Sequence, residues 1–213
     1  MIRIKNFDQN FKTKLYEKVS LIESKSGTEA AVIIKNSSGN YFSRVLAASG
    51  IFFILLLSYF MLSPIEYDPY SMYIISLLSS VAVFCILYFI PGLQFFLISE
   101  KTKKKNTEIH ARALFQKAQM YKTQNHIAFL VYFSLLEKKS YFLTDYGINL
   151  IMDDDEIKNI SEKLQKALKG KNPKDDILKA LDEIATVMEK YIPRPEDDIN
   201  ELPDIFIHNK KHP

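Results

Sequence analysis

Two long apolar stretches without a charged residue lie inside this 213-residue sequence. They occupy residues 45–99 and are separated by the short polar segment EYDPY, residues 66–70. A helix needs ~20 consecutive apolar residues to cross the ~30 Å hydrocarbon core of a bilayer, and both stretches are long enough. Pro64, Pro69 and the acidic residues between the stretches favour a turn in water or among lipid headgroups. The sequence therefore predicts a helical hairpin that crosses a membrane twice.

The charges that flank the hairpin predict its orientation. Arg44 precedes the first stretch, four lysines lie within residues 101–105 after the second, and the turn carries only acidic charge. Lys and Arg beside membrane spans stay on the cytoplasmic side. We therefore expect a two-span protein of the cell inner membrane with both termini in the cytoplasm. A re-entrant hairpin is one alternative; a buried hairpin in a soluble core is disfavoured, because core helices carry a polar stripe.

The charge and cysteine content of the sequence limit the classes of binding partner that can be expected. The formal net charge of +3 is too small to predict nucleic-acid binding, and the clustered lysines follow the hairpin. There each lysine contributes ~1 kcal/mol toward an anionic leaflet. Cys85 is the single cysteine, which excludes a disulfide framework or a zinc site, and residues 1–20 show no secretory signal. The expected partner is the lipid bilayer.

The polar parts on either side of the hairpin predict a single discontinuous α/β domain. Its fold class is a small mixed sheet flanked by helices and interrupted by a two-helix transmembrane hairpin. The periodicity predicts helices over residues 7–25, 107–121, 153–168 and 175–191, and strands over residues 29–35, 126–136 and 141–145. The first two strands are expected to pair in parallel, because a long crossover joins them, and the third to pair antiparallel to the second. The predicted segments are residues 1–40, the hairpin 45–99, residues 100–191, and an acidic, proline-containing tail 192–213.

Local expectations accompany these elements. Gly27 is expected to end the first helix in the left-handed conformation, and Gly147 to form a turn with positive φ. Pro91 should break the second apolar stretch. The inward side of the helix over residues 107–121 is predicted to carry Ile109, Ala113, Leu114, Ala118 and Tyr121.

Acidic residues after the third strand are the candidate metal ligands. Asp145 ends that strand, and Asp153, Asp154 and Asp155 precede the next helix. Ca²⁺ or Mg²⁺ takes several carboxylate and carbonyl oxygens, which a strand-to-helix loop can supply. The alternative is that the triplet caps the helix and complements its dipole. No EF-hand is formed, because Lys158 and Leu164 stand at the glycine and glutamate positions of that loop.

Catalytic motifs are absent from the sequence. There is no G-x-S-x-G, H-E-x-x-H or phosphate-binding glycine loop. His110 is expected at the surface or core edge, and His126 at a strand edge. Catalytic residues therefore stay unassigned.

Several segments, taken together and in order, resemble the TPM-domain family, and their arrangement is similar to its short bacterial membrane branch. They are SGTEAAVIIKNSSGNY, FIPGLQFFLISEKTKKK, HARALFQ and IAFLVYFSLLEKKSYFLTDYGI. The resemblance implies a small sheet flanked by helices, a phosphatase activity and cation binding at acidic residues. Glu29 matches the acidic position of the family's first strand. Parallel pairing is expected to place Glu29 near the start of the central strand and not beside Asp145.

Two classes of function follow. The first is a membrane-anchored, cytoplasm-facing interaction or assembly module, with a membrane or cytoplasmic protein partner and possible self-association. The second is a divalent-cation-dependent phosphatase acting on phosphomonoesters.

Overall fold

The computed structural model describes residues 7–123 and 125–195. The predicted acidic tail lies outside the described residues from residue 196 onward. The helices are α1 (Gln9–Lys25), α2 (Phe42–Leu62), α3 (Pro69–Phe89), α4 (Pro91–Leu97), α5 (Glu100–Lys117), α6 (Tyr146–Ile151), α7 (Asp154–Lys169) and α8 (Pro173–Tyr191), with a 3₁₀ turn at Met120–Lys122. The strands are β1 (Glu29–Lys35), β2 (Ala128–Ser134) and β3 (Lys139–Thr144).

The three strands form one mixed sheet in the order β1-β2-β3. β1 pairs with β2 in parallel, with Val32 opposite Val131, and β2 pairs with β3 antiparallel, with Val131 opposite Phe142. Every residue of β2 is buried, as expected for a near-continuously apolar central strand. The predicted α/β fold class with a small mixed sheet is confirmed.

Helices cover both faces of the sheet. One face packs Val32, Val131 and Phe142 against the core that α1, α7 and α8 share. Helix α1 buries an i, i+4 row that ends at Ile22, and ion pairs such as Lys18–Asp182, at 2.6 Å, join it to α8. The predicted amphipathic faces of these three helices follow from apolar spacing near 3.6 residues.

The opposite face is covered by α5, and the predicted inward face of this helix is confirmed only in part. Leu114 and Ala118 pack against the core on this side, as predicted, but Ala113 is exposed. Ala111 and Phe115 pack against Leu130 of the sheet, whereas Ile109 is 53% exposed. Tyr121 lies beyond the helix and is 45% exposed. The buried row of α5 consists of Lys103, Thr107, Ala111 and Phe115. The small side chain of Ala111 allows the helix backbone to approach the sheet closely.

The two glycine expectations are also wrong, since no described glycine has a positive φ. Gly27 and Gly147 are required by close packing instead. A Cβ at Gly27 would lie 2.9 Å from Pro195 Cδ, and one at Gly147 only 2.6 Å from the backbone oxygen of Asn125. Backbone contact this close admits only a residue without a side chain.

The chain divides into two units, one with the described residues up to Ser38 and from Lys103 onward, and one with residues 39–102. In the second unit, α2 and α3 are 21 residues each, with mean hydropathies of 2.4 and 2.2. They pack against each other with edge-to-face rings, such as Phe53 and Tyr73 at 5.9 Å. Both helices are long and apolar enough to cross a membrane. As predicted, the second stretch breaks, and α4 begins at Pro91.

Candidate functional site

Two acidic residues lie in register at one end of the sheet. Glu29 of β1 pairs with Ala128, and the amide of Asp145 donates to the carbonyl of the same Ala128 at 2.8 Å. Glu29 does lie near the start of the central strand, as expected. Asp145 is not its direct neighbour but lies at the same level of the sheet on the other side of Ala128, because the antiparallel pairing returns β3 to the same residue of β2.

Both carboxylates lie on one face of the sheet with a small side chain between them. Directly paired residues point to the same side, and Ala128 belongs to the core on the α5 side. The Cα atoms of Glu29 and Asp145 are two strand spacings apart, about 10 Å. One oxygen of each carboxylate, Glu29 Oε2 and Asp145 Oδ2, is buried. Ala128, which separates the two acidic residues, is fully buried.

The backbone around this sheet end holds the Asp145 side chain in place. Asp145 Oδ1 accepts a hydrogen bond from the amide of Tyr146 at 2.8 Å, which caps α6. Its other oxygen, Oδ2, lies 3.4 Å from His126 Nδ1, and the Asp145 side chain is only 14% exposed. His126 has a φ of 54°, and its carbonyl accepts from the amide of Gly147. His126, which the sequence analysis expected only at a strand edge, thus lies against the carboxylate of Asp145.

The other predicted ligands occupy the start of α7. Asp153 stands at its N-cap position, and Asp154 and Asp155 lie in its first turn. Acidic side chains here complement the positive end of the helix dipole. Within residues 7–123 and 125–195, the structure gathers no group of three or more His, Cys, Asp or Glu side chains suited to a metal ion. A cation at Glu29 and Asp145 would therefore need carbonyl or water ligands as well, so the residues present fit it in part.

A buried polar cluster at the opposite end of the sheet escaped prediction. Glu137, which lies between the second and third predicted strands, is 1% exposed. Its Oε1 accepts hydrogen bonds from the Ser38 amide at 2.8 Å and the Ser37 hydroxyl at 3.3 Å, and its Oε2 accepts one from the Ser134 hydroxyl. The carboxylate thus ties the chain leaving β1 to the turn between β2 and β3. Hydroxyl residues inside an otherwise apolar strand were the available signal.

Two ring side chains extend this cluster. The Ser38 hydroxyl lies 2.9 Å from the Tyr132 hydroxyl, and burial raises the pKa of Tyr132 to about 12. The His110 ring stacks on Tyr132, and its Nε2 is 3.4 Å from Lys35 Nζ. Burial, followed by the positive charge of Lys35, lowers the pKa of His110. Both rings are therefore uncharged at neutral pH, and the cluster is suited to fixing the β1 exit.

The architecture is an α/β domain with a three-stranded mixed sheet covered by helices on both faces, and comparison with known proteins agrees with it. Residues 92–187 match the family model of the TPM domain. The fold is similar to the NMR structure of the BA42 protein from the psychrophilic bacterium Bizionia argentinensis, with a TM-score of 0.57, 16% sequence identity, and coverage of 94% of each chain. No curated protein gives a significant sequence match. The match of residues 92–187 to the TPM domain agrees with the resemblance that the motifs implied.

Proposed function

We propose that this protein is a membrane-anchored TPM-domain module that faces the cytoplasm and acts as an interaction or assembly factor. The observation that carries the proposal is the pair of 21-residue helices α2 and α3. In the most apolar 18-residue segment of each helix, only 11% of α2 and 6% of α3 is buried. Exposing two such apolar helices to water is unfavourable, whereas lipid tails cover the same side chains without an unfavourable free energy of hydration. The lysines of residues 101–105 support a cytoplasmic exit.

A protein partner is supported by the surface of α6. Tyr146, Leu150 and Ile151 are 65%, 67% and 45% exposed on this short helix. Exposed aromatic and aliphatic side chains that lie together are typical of protein interaction sites. This surface adjoins Asp145, so a bound partner would also cover the acidic sheet end.

Cysteine labelling in intact cells tests the anchor and its orientation. Single cysteines at Asn36, Asp68 and Lys171 are placed in a chain whose native Cys85 is replaced by alanine. We expect a membrane-impermeant thiol reagent to modify the cysteine at position 68 alone, and all three after the membrane is opened. Modification at positions 36 and 171 in intact cells would refute the cytoplasmic orientation.

A divalent-cation-dependent phosphatase acting on phosphomonoesters is the second candidate function, favoured by the register of Glu29 and Asp145. A cation held there would neutralise charge on a phosphate group. The purified protein should then hydrolyse a generic phosphomonoester with Mg²⁺, Mn²⁺ or Ca²⁺. Asp145→Asn should abolish the activity, and Asp153→Asn, in the first turn region of α7, should preserve it. If no activity is found with any cation, or if the activity survives Asp145→Asn, the phosphatase candidate is rejected and the interaction module remains.

A further inference from the structure

A basic groove runs along the outer strand of the sheet in the TPM domain. It has a volume of about 610 Å³ and lies between α5, β3 and α7. Four lysines, Lys104, Lys139, Lys158 and Lys166, line it, against the single carboxylate of Glu162. The volume falls within the usual range for small-ligand sites.

The lysines of the groove differ from others in the same domain. Lys163, which lies on α7 beside them in sequence, pairs with Glu183 at 2.7 Å. Lys104, Lys158 and Lys166, in contrast, form no ion pair with any described residue. Two elements, α5 and α7, thus bring uncompensated positive charge to one cavity. Such an arrangement costs electrostatic repulsion, which an anion placed between the ammonium groups would relieve.

The shape of the groove limits which class of anion can bind there. β3 is an edge strand, and an acidic peptide could in principle pair with it as a fourth strand. Gln165 already occupies the beginning of this edge: its Oε1 accepts from the Ser140 amide at 3.1 Å, and its Nε2 donates to the Lys138 carbonyl at 2.9 Å. The side chain of Gln165 therefore takes the place of a neighbouring strand. A compact anion fits the remaining space better than an extended chain.

We propose that this groove binds a phosphate group, presented by an anionic lipid headgroup or by a soluble phosphomonoester. Lysine ammonium groups bind phosphate as point charges and need no fixed fork geometry. The site is separate from the acidic sheet end, because Lys139 begins β3 and Asp145 follows its last residue. It therefore stands independently of the phosphatase candidate.

Titration of the full chain tests the site. The protein in phosphatidylcholine nanodiscs is titrated with glycerol 3-phosphate by calorimetry. The variant Lys139→Gln/Lys158→Gln/Lys166→Gln should bind glycerol 3-phosphate at least about tenfold more weakly than the wild type, since each removed ammonium group contributes to the affinity for phosphate. The matched control Lys14→Gln/Lys169→Gln/Lys171→Gln loses the same charge outside the groove and should bind like the wild type. Lys104 is kept, so that the lysines beside the hairpin are identical in all three proteins.

A lipid arm identifies the source of the phosphate. The same proteins are extracted from bilayers that contain phosphatidylglycerol, and the retained lipid is counted by native mass spectrometry. Binding of glycerol 3-phosphate in the calorimeter indicates that the groove takes a soluble phosphomonoester. If the wild type and the control retain phosphatidylglycerol and the groove variant does not, the groove takes a lipid headgroup. The proposal is overturned if neither probe binds, or if the groove variant and its control weaken binding equally.

Discussion

Glu137 is a buried carboxylate in the turn between β2 and β3. The turn Glu137-Lys138-Lys139-Ser140 has the composition of an exposed loop, and no local pattern distinguishes its first residue from the next two. The carboxylate is buried because it accepts hydrogen bonds from two hydroxyls and an amide. Buried charge is tolerated only with such partners. Ser37 and Ser38 are about 100 positions away from Glu137, so their meeting with it depends on the strand register.

Removing this carboxylate should destabilise the domain. Glu137→Ala leaves the Ser38 amide and the Ser134 hydroxyl without their acceptor, and hydrogen bonds to charged groups contribute about 1.5–3 kcal/mol each. We expect the free energy of unfolding to fall by about 3 kcal/mol, measured by urea unfolding of the full chain in detergent. Glu17→Ala, at an exposed position of α1, serves as the control and should change it by less than about 0.5 kcal/mol. Equal stability of the two variants would contradict this role.

His110 should make the domain sensitive to acid. Its pKa in the folded protein is lowered from the ordinary value of 6.5, first by burial and then by Lys35, against opposing contributions from Glu137 and the Ser38 carbonyl. As the pH falls below about 6.5 the unfolded chain takes up this proton first. The free energy of unfolding should therefore decrease through this range, until the pH passes below the folded pKa.

The measurement for His110 compares pH profiles of stability between the wild type and His110→Gln. Other titrating groups are common to both proteins and cancel in the difference. The wild type should lose more stability than the variant between pH 7.5 and pH 5.5. Parallel profiles would show that the histidine takes up its proton equally in both states.

Among the elements predicted from the sequence, β1 was predicted most accurately and α5 least accurately. β1 spans the predicted residues 29–35 because a β-branched run bounded by turn residues has few alternatives. α5 begins at Glu100, seven residues before the prediction, because its first turns are a lysine-rich segment without apolar periodicity. Its buried face includes Lys103 and Thr107, which no hydrophobic pattern marks. Packing against the sheet, and not propensity, sets that face.

Helix α6 depends on a glycine for its position. A Cβ at Gly147 would lie 2.6 Å and 2.7 Å from the backbone oxygens of Asn125 and His126, whereas nothing lies within 4 Å of a Cβ at Gly50 of α2. Gly147→Ala should lower the free energy of unfolding by about 2 kcal/mol or more, because backbone atoms must move. Gly50→Ala should be neutral or stabilising by up to ~1 kcal/mol, since alanine favours a helix.

Thermal unfolding of both glycine variants in the same detergent checks this pair. Amide chemical shifts of Asp145 and Tyr146 should change in Gly147→Ala and remain unchanged in Gly50→Ala. Unchanged stability of Gly147→Ala would mean that α6 moves freely, and that it does not hold the Asp145 side chain.

At the scale of the whole molecule, the order of elements was accessible from the sequence and the candidate site was not. The mixed sheet follows from the long β1–β2 connection and the short β2–β3 turn. The juxtaposition of Glu29 and Asp145 requires both pairings in exact register, and a shift of one residue would place the side chains on opposite faces. The groove lysines come from three elements, so they too are separate in the sequence. Sites of this kind appear only once the packing is known.

The α/β domain is discontinuous in sequence, and this yields the last prediction. β1 pairs with β2 along its whole length, from Glu29–Ala128 to Lys35–Ser134, so residues 103–195 alone lack an edge strand and α1. The His110 side chain also donates to the Ser38 carbonyl, and Lys103 lies about 10 Å further along α5. A linker of about six Gly and Ser residues spans ~13 Å, enough to join Ser38 directly to Lys103.

We expect the chain with the hairpin replaced by this linker to be soluble, to unfold cooperatively in urea and to give a dispersed amide NMR spectrum. The fragment from residue 103 onward should do none of these, because the β1 face of β2 would be exposed. Ile33→Asp in the linked chain should reproduce the failure of the fragment, since Ile33 is 2% exposed and a charge there would enter the core. A fragment that folds cooperatively without β1, or a linked chain that does not fold while the full chain does, would contradict the discontinuous domain.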